Sequence, residues 1–145
     1  NNDGITKIWG IELTADLNFT NDLSANGSYT YTNHKDPSGQ ELVRRAKHIA
    51  SGNLEYRFLT DKARLFLTTE FTGHQADLDF DATFLNSTRV QLAPITKINV
   101  GGSYKIMEKV TVNGRLENLL DDQYEEIFGL QSPGLGFYLS LSGDF

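Results

Sequence analysis

Apolar and polar residues alternate along most of this chain. Near the C-terminus every second residue is apolar, as in Leu135, Phe137, Leu139 and Leu141, and the residues between them are polar or small. Successive side chains of a β-strand point to opposite faces, so such a run predicts a strand with one apolar and one polar face. The same rhythm recurs upstream, and it predicts seven strands at 5–19, 23–33, 48–59, 63–74, 88–106, 110–119 and 134–145.

The connections between these strands alternate in length. Short turns are predicted at Asn21-Asp22, at 60–62 and at 107–109, whereas 34–47, 75–87 and 120–133 are long. Every short turn then falls at one end of the sheet and every long loop at the other. Most predicted strands reach the roughly 9–11 residues of a tilted membrane-crossing strand. Short turns on one side and long loops on the other are typical of outer-membrane barrels.

Composition excludes several classes of partner and site but does not by itself distinguish a soluble fold from a membrane fold. The chain has 145 residues, a net charge of −6 and no Cys. The negative charge argues against nucleic acid as a partner, because phosphate binding needs a basic surface. The absence of Cys excludes disulfides and thiolate metal sites. The sequence has no run of 18 apolar residues, so it predicts no transmembrane helix. A membrane-spanning β-strand needs no such run, because only every second residue faces lipid. Because residue 1 is Asn, we expect a piece of a longer or processed protein.

Two all-β folds fit this pattern. A soluble β-sandwich that acts as a binding module also alternates apolar and polar residues. A membrane barrel is favoured because aromatic side chains cluster near the ends of the apolar faces, where interfacial girdles lie. The aromatic residues in question include Trp9, Phe19, Tyr31, Phe58, Phe71 and Tyr104.

Several short motifs resemble those of TonB-dependent outer-membrane receptors. Residues 118–124 are similar to the family's N-L-[apolar]-D-x-x-Y motif, through Asn118, Leu119, Asp121 and Tyr124. Gly134 ends a G-x-x-x-P-G-like segment before the last strand, and Phe145 resembles the terminal aromatic that serves as an insertion signal. Upstream, Gly10 and Glu12 are similar to a G-[apolar]-E strand motif. The spacing looks nearest to the vitamin B12 (cobalamin) transporter branch.

The resemblance implies an antiparallel, membrane-spanning up-and-down β-barrel of about 22 strands, of which 1–145 would be the C-terminal seven-strand segment. It implies active import of a scarce nutrient, cobalamin, a siderophore or similar, across the bacterial outer membrane. The plug and the TonB-contact segment would lie outside these residues. Expected partners are outer-membrane lipid and lipopolysaccharide, TonB, the barrel-insertion machinery and the nutrient. No enzymatic activity and no cofactor are implied.

Four loop residues are candidates to contact substrate. Arg44 and Arg45 lie in a long loop and could bind an anionic substrate or a lipopolysaccharide phosphate, since Arg binds such oxyanions bidentately. Tyr124 and Phe128 could present aromatic surface to the substrate. The alternatives are ordinary exposed loop charges for the two arginines and packing at the barrel rim for the aromatic residues.

Metal binding and catalysis have weaker support. Asp77, Asp79 and Asp81 would share one face of an extended segment and could hold Ca²⁺, but the spacing departs from a complete EF-hand loop, and a solvated acidic loop is favoured. His34, His48 and His74 are scattered without metal-ligand spacing. His48 and Ser51 would fall on opposite faces of a strand, which argues against a nucleophile–base pair.

Overall fold

The computed structural model describes residues 4–81 and 83–143. Seven strands of this part of the chain form one antiparallel sheet, as the alternation predicts. They are β1 Lys7–Asn18, β2 Leu23–Lys35, β3 His48–Phe58, β4 Ala63–Thr72, β7 Ile95–Met107, β8 Val110–Glu117 and β11 Gly136–Gly143. Within the same residues, none forms a helix of the length and apolar character needed to cross a membrane.

The sheet is an up-and-down meander with the order β1-β2-β3-β4-β7-β8-β11. Each strand pairs with the next strand of the sheet along the chain, so all neighbours run antiparallel. The sheet does not close, and β1 and β11 are its edges. The turns β1–β2, β3–β4 and β7–β8 are short, and all three lie at one end of the sheet. The predicted asymmetry of the connections is therefore confirmed.

The register gathers the apolar residues on one face across all seven strands. One row of cross-strand neighbours runs Leu17, Ala25, Leu54, Leu67, Val100, Leu116 and Phe137. This face is uncovered: Leu139 is 68% exposed and Leu141 is 69% exposed. The described strands outside this sheet form only two two-stranded hairpins, so a second sheet of sandwich size is not among them. The soluble sandwich is therefore not favoured.

The opposite face is polar. One of its rows runs Asp16, Asn26, Asn53, Thr68 and Asn99. Side chains two residues apart on this face form ion pairs, at 2.8 Å between Arg57 Nε and Glu55 Oε1 and at 2.8 Å between Arg115 and Glu117. Phe66, an aromatic residue on the polar side, lies over Gly101, its register partner.

Four short strands lie in the long connections and correct the predicted boundaries. The predicted strand 88–106 is wrong: it is divided at Ala93-Pro94 into β6 Ser87–Leu92 and β7. Pro lacks an N–H and interrupts a ladder, which fits a boundary there. The predicted loop 75–87 contains β5 Gln75–Phe80, which pairs with β6. The predicted loop 120–133 contains β9 Glu125–Ile127 and β10 Leu130–Gln131, which pair with each other.

Candidate functional site

The three long connections, 36–47, 73–94 and 118–135, meet at one end of the sheet, and we call them the loop cluster. Val43 forms an isolated parallel bridge with Ala76, and the Arg44 amide donates to the Ala76 carbonyl over 2.7 Å. The Gln75 side chain donates to the Glu126 carbonyl over 2.9 Å, which joins the second and third connections. The cluster is therefore one connected unit.

Asp77 is the polar centre of the loop cluster. Its side chain is 0% exposed and accepts three hydrogen bonds. Oδ1 accepts from Arg44 Nε at 2.8 Å and from the Leu78 amide at 2.8 Å, and Oδ2 accepts from the Phe128 amide at 2.9 Å. Burial alone would raise the pKa of Asp77, but the hydrogen bonds from Phe128, Arg44 and Leu78 outweigh it and hold the pKa below its usual value. The ionised carboxylate thus links all three connections.

The second half of the first connection, residues 40–47, makes further contacts with β2, with itself and with β6. The buried His34 at the end of β2 accepts a hydrogen bond from the Leu42 amide, at 3.1 Å from Nδ1. Glu41 forms an ion pair with Lys47, and the hydrogen bond from Lys47 is the largest effect that lowers the pKa of Glu41. Arg89 of β6 donates to the Glu41 carbonyl and, over 3.2 Å, to Gln40 Oε1. These contacts give the first connection a second link to the β5–β6 hairpin.

Three residues of the family-like motifs join the start of the third connection to its end, and we call this arrangement the clasp. Buried Asn118 donates through Nδ2 to the Asp122 carbonyl at 2.9 Å and to the Pro133 carbonyl at 3.2 Å. Asp121 has a φ of 52° and accepts the Leu135 amide at 2.8 Å through Oδ1. A Cβ on Gly134 would collide with this same Oδ1, so any other residue there would displace the Asp121 carboxylate from its hydrogen bond to the Leu135 amide. The structure therefore gives Asn118, Asp121 and Gly134 a structural role.

Tyr124 lies at the rim of the sheet beside a charged pair. Lys97 Nζ forms an ion pair with Glu126 Oε1 at 2.6 Å and lies 5.0 Å from the centre of the Tyr124 ring. An ammonium group at this distance is attracted by the negative face of the ring. Tyr124 is half-buried and packs against this charged pair at the rim.

The structure brings two of the four substrate candidates together. Tyr124 and Phe128 line the same cavity of about 370 Å³ in the loop cluster. Its other polar lining residues are Gln91, Thr96, Asp122, Gln123, Glu125 and Gln131. Arg44 and Arg45 do not line it, and Arg44 is held by the ion pair to Asp77. Arg45 is exposed on the first connection.

The three aspartates do not converge. Asp77 is buried and bonded as above, whereas Asp79 is exposed opposite Thr88 in the β5–β6 ladder. Asp81 accepts from the Thr83 and Asn86 side chains, and these hydrogen bonds lower its pKa to about 2. Within 4–81 and 83–143, no three His, Asp or Glu side chains are grouped to hold a metal ion. The His48 and His74 imidazoles are engaged in separate hydrogen bonds, His48 with the Tyr29 hydroxyl and His74 with the Leu92 carbonyl.

The remaining motif residues lie in or beside the sheet. Gly10 is in β1, where a Cβ would collide with the Tyr31 carbonyl oxygen, and Glu12 lies opposite Thr30. The Leu119 amide donates to the Ile98 carbonyl over 2.8 Å, and its side chain is exposed. The insertion-signal residue Phe145 lies outside the described residues.

Sequence reasoning missed the residues that join the connections. Asp77 was predicted only as a metal candidate, and Lys97, Gln75 and Glu126 were not predicted as site residues. A carboxylate spaced regularly with two others looks like part of an acidic loop, and only the folded pairing of distant loops shows its bonds. The signal available was slight: Asp77 is followed by apolar Leu78 and preceded by Ala76, which is consistent with a half-buried hairpin strand.

Comparison with known proteins identifies the relatives of this chain. Residues 1–119 match the family described as TonB dependent receptor-like, beta-barrel. The chain is 25% identical over 142 residues to the vitamin B12 transporter BtuB of Vibrio cholerae, covering 98% of this chain and 22% of the transporter. The chain thus spans about a fifth of the length of the curated relatives it matches.

Solved structures show the same fold. The Pseudomonas aeruginosa receptor FpvA bound to a heterologous pyoverdine superposes with a TM-score of 0.83 at 16% identity, covering 97% of this chain and 20% of that receptor. The ferric enterobactin receptor PfeA of the same organism superposes with a TM-score of 0.76 at 21% identity, covering 95% of this chain and 22% of that receptor.

Proposed function

Because the chain belongs to the TonB-dependent receptor-like β-barrel family, we propose that residues 1–145 form the C-terminal wall of a receptor that imports a scarce nutrient across the bacterial outer membrane. The seven-stranded sheet would be one arc of the barrel. The loop cluster would be its outside rim, and the short turns would lie on the periplasmic side.

The observation that carries this proposal is the uncovered apolar face. Leu139 and Leu141 on β11 are exposed, and Leu141 lies directly opposite Val112 on β8. In water such a face would drive association, whereas lipid tails solvate it. The edges at β1 and β11 need other strands of the receptor, because an unpaired N–H or C=O in lipid costs several kcal/mol.

The proposed nutrient is cobalamin, a siderophore or a similar molecule. The names of the relatives support this range: one is a vitamin B12 transporter and another was solved with pyoverdine. In this chain, the cavity lined by Tyr124 and Phe128 in the loop cluster is the proposed contact surface. Arg44 and Arg45 remain proposed contacts for an anionic substrate or a lipopolysaccharide phosphate at the loop surface.

The remaining partners follow from the same proposal. TonB would contact an N-terminal part of the receptor, and lipopolysaccharide would surround the outer rim. The insertion machinery would recognise the last strand together with Phe145. The receptor would carry out transport without a covalent reaction.

Uptake by a deletion strain tests the proposal. The gene that encodes the full receptor is deleted, and entry of radiolabelled cobalamin and of ferric siderophores is measured with TonB present and absent. We expect one nutrient to lose its uptake on deletion, to regain it on complementation, and to need TonB. Full uptake of every nutrient in the deletion strain, or uptake through the receptor without TonB, would contradict the proposal.

A further inference from the structure

Two guanidinium groups flank a cleft on the polar face of the sheet, away from the loop cluster. The cleft has a volume of about 510 Å³ and is lined by Arg64, Arg115, Ser103, Asn113 and Tyr138, among others. Each of the two arginine side chains is 48% exposed, so donor groups remain available to a ligand.

The strands explain why a cleft forms here. Gly101 lies between Phe66 on β4 and Arg115 on β8, and a Cβ at Gly101 would be 2.5 Å from Phe66 Cζ and 2.8 Å from the Gly114 carbonyl oxygen. The next row places only Ser103 and Asn113 beside Arg64. Phe66 fills the space over Gly101, whereas the short side chains of Ser103 and Asn113 leave a depression between the two long cationic side chains.

Aromatic rings hold both guanidinium groups. Arg64 Cζ lies 5.4 Å from the centre of the Phe66 ring, and Arg115 Cζ lies 5.0 Å from the centre of the Tyr138 ring. A guanidinium group at this distance is attracted by the negative face of the ring. The N–H donors that are not engaged in ion pairs suit phosphate and carboxylate oxygens.

The charges around the cleft are not balanced. Glu55 pairs with Arg57 at 2.8 Å and also with Arg64 at 3.5 Å, while Glu117 pairs with Arg115 at 2.8 Å. Among the described residues, two carboxylates thus pair with three guanidinium groups, which leaves an excess positive charge at the cleft in a chain whose net charge is −6. Arg64, with the longest of these ion pairs, is the group most open to another anion.

The spacing of the two arginines indicates the size of the ligand. β4 and β8 are separated by β7, and Arg115 lies two residues from Asn113, which is level with Arg64. Two strand spacings and two residue rises put the two Cα atoms roughly 12 Å apart. We propose that this cleft is a subsite for a compact ligand with two oxyanion groups, such as a diphosphate. This inference rests on the proposed function, because the polar face would line an aqueous interior only if the sheet is part of a receptor barrel.

Arginine modification of the full-length receptor in detergent tests the subsite. Phenylglyoxal is applied with and without sodium pyrophosphate, and the modified peptides are quantified by mass spectrometry. We expect pyrophosphate to slow modification of Arg64 and Arg115 by about tenfold, as two charge-assisted contacts imply. Arg89, which lies in the loop cluster, should react at the same rate under both conditions and serves as the internal reference.

Calorimetry on variants gives a second readout. Arg64→Gln and Arg115→Gln should each weaken pyrophosphate binding by about tenfold. Lys109→Gln removes a positive charge from the short turn between β7 and β8 and should leave the affinity unchanged. Equal affinities for all variants, or no protection of reactive Arg64 and Arg115, would overturn the subsite.

Two further outcomes separate the subsite from the proposed function. If Arg64 and Arg115 are unreactive before pyrophosphate is added, another part of the receptor fills the cleft, and the subsite is overturned. If pyrophosphate does not bind but nutrient uptake still depends on the receptor, only the subsite fails. If pyrophosphate does not bind and nutrient uptake does not depend on the receptor, both proposals fail.

Discussion

Asp77 and Phe128 are 51 residues apart in sequence, yet the Phe128 amide donates a 2.9 Å hydrogen bond to Asp77 Oδ2. The other carboxylate oxygen binds Arg44 and the Leu78 amide. A single buried carboxylate therefore fixes the relative positions of all three long connections. The cavity that contains Phe128 depends on this arrangement.

Replacing Asp77 should loosen the loop cluster. In Asp77→Ala, the amides of Leu78 and Phe128 lose an ionised acceptor, which is worth about 1.5–3 kcal/mol per hydrogen bond. We expect their hydrogen exchange in the full receptor to accelerate by about tenfold or more, a factor that corresponds to the lower end of that range. The matched variant Asp79→Ala changes an exposed residue of the same strand, and its exchange at Phe128 should equal that of the wild type. Equal exchange in both variants would show that Asp77 does not organise the cluster.

The contribution of Asp77 should depend on pH in a defined direction. Its folded pKa is depressed, because the three hydrogen bonds outweigh the effect of burial. The stabilisation is therefore fully present above the unfolded pKa, near pH 3.9, and is lost as the pH falls through the lower folded pKa. Pepsin cleavage of the loop cluster can be compared between wild type and Asp77→Ala. The wild type should be the more resistant at about pH 4–5, and the difference should shrink below that range. A difference that grows as the pH falls would contradict the sign.

Two variants of Asp121 distinguish the contribution of its charge from the contribution of its backbone conformation and hydrogen-bond acceptor. Asp121 has a positive φ and accepts the Leu135 amide through its side chain. Asp121→Asn keeps an acceptor and tolerates the left-handed conformation, whereas Asp121→Ala does neither. We expect fast hydrogen exchange at Leu135 in the Ala variant and near-normal exchange in the Asn variant. Asp122→Ala, which leaves the carbonyl bound by Asn118 intact, is the control. Fast exchange in the Asn variant would assign the effect to charge.

Two glycines of adjacent strands should respond differently to substitution. A Cβ at Gly101 would be 2.8 Å from the Gly114 carbonyl oxygen, whereas a Cβ at Gly114 has nothing within 4 Å. Forcing an extra carbon into a filled site typically costs 1–3 kcal/mol, so we expect Gly101→Ala to lose about that much stability. Gly114→Ala should be nearly neutral. The heat-induced shift of the receptor on a denaturing gel measures this, and equal unfolding temperatures would refute the packing at Gly101.

The sheet was predictable because the features that define it, alternation within a strand and short turns between strands, are local in sequence. Alternation fixes the two faces of a strand such as β8, and the short turn at 107–109 fixes the next register, so seven strands follow from spacing alone. Failure came where the pattern is ambiguous. β6 and β7 both alternate, and only the missing N–H of Pro94 marks the boundary between them.

The loop cluster was less predictable because its bonds are long-range. The Asp77–Phe128 contact joins two hairpins of separate connections, and the local sequence pattern of neither hairpin indicates that the two meet. The motif around Asn118 indicated a family, but its physical role as a clasp required the positions of the Asp122 and Pro133 carbonyls. The pairing of Tyr124 and Phe128 in one cavity agrees with their choice as candidates, and their contact with substrate stays a prediction.

Spin labels at Leu139 and Ser140 determine which face of the sheet meets the lipid. The chain has no Cys, so Leu139→Cys and Ser140→Cys introduce single labelling sites into it. The full receptor is labelled in membranes, and collision rates with oxygen and with a water-soluble nickel complex are measured. Position 139 should collide mainly with oxygen and position 140 mainly with the nickel complex. The reverse pattern, or nickel access equal at both positions, would contradict a lipid-facing apolar surface.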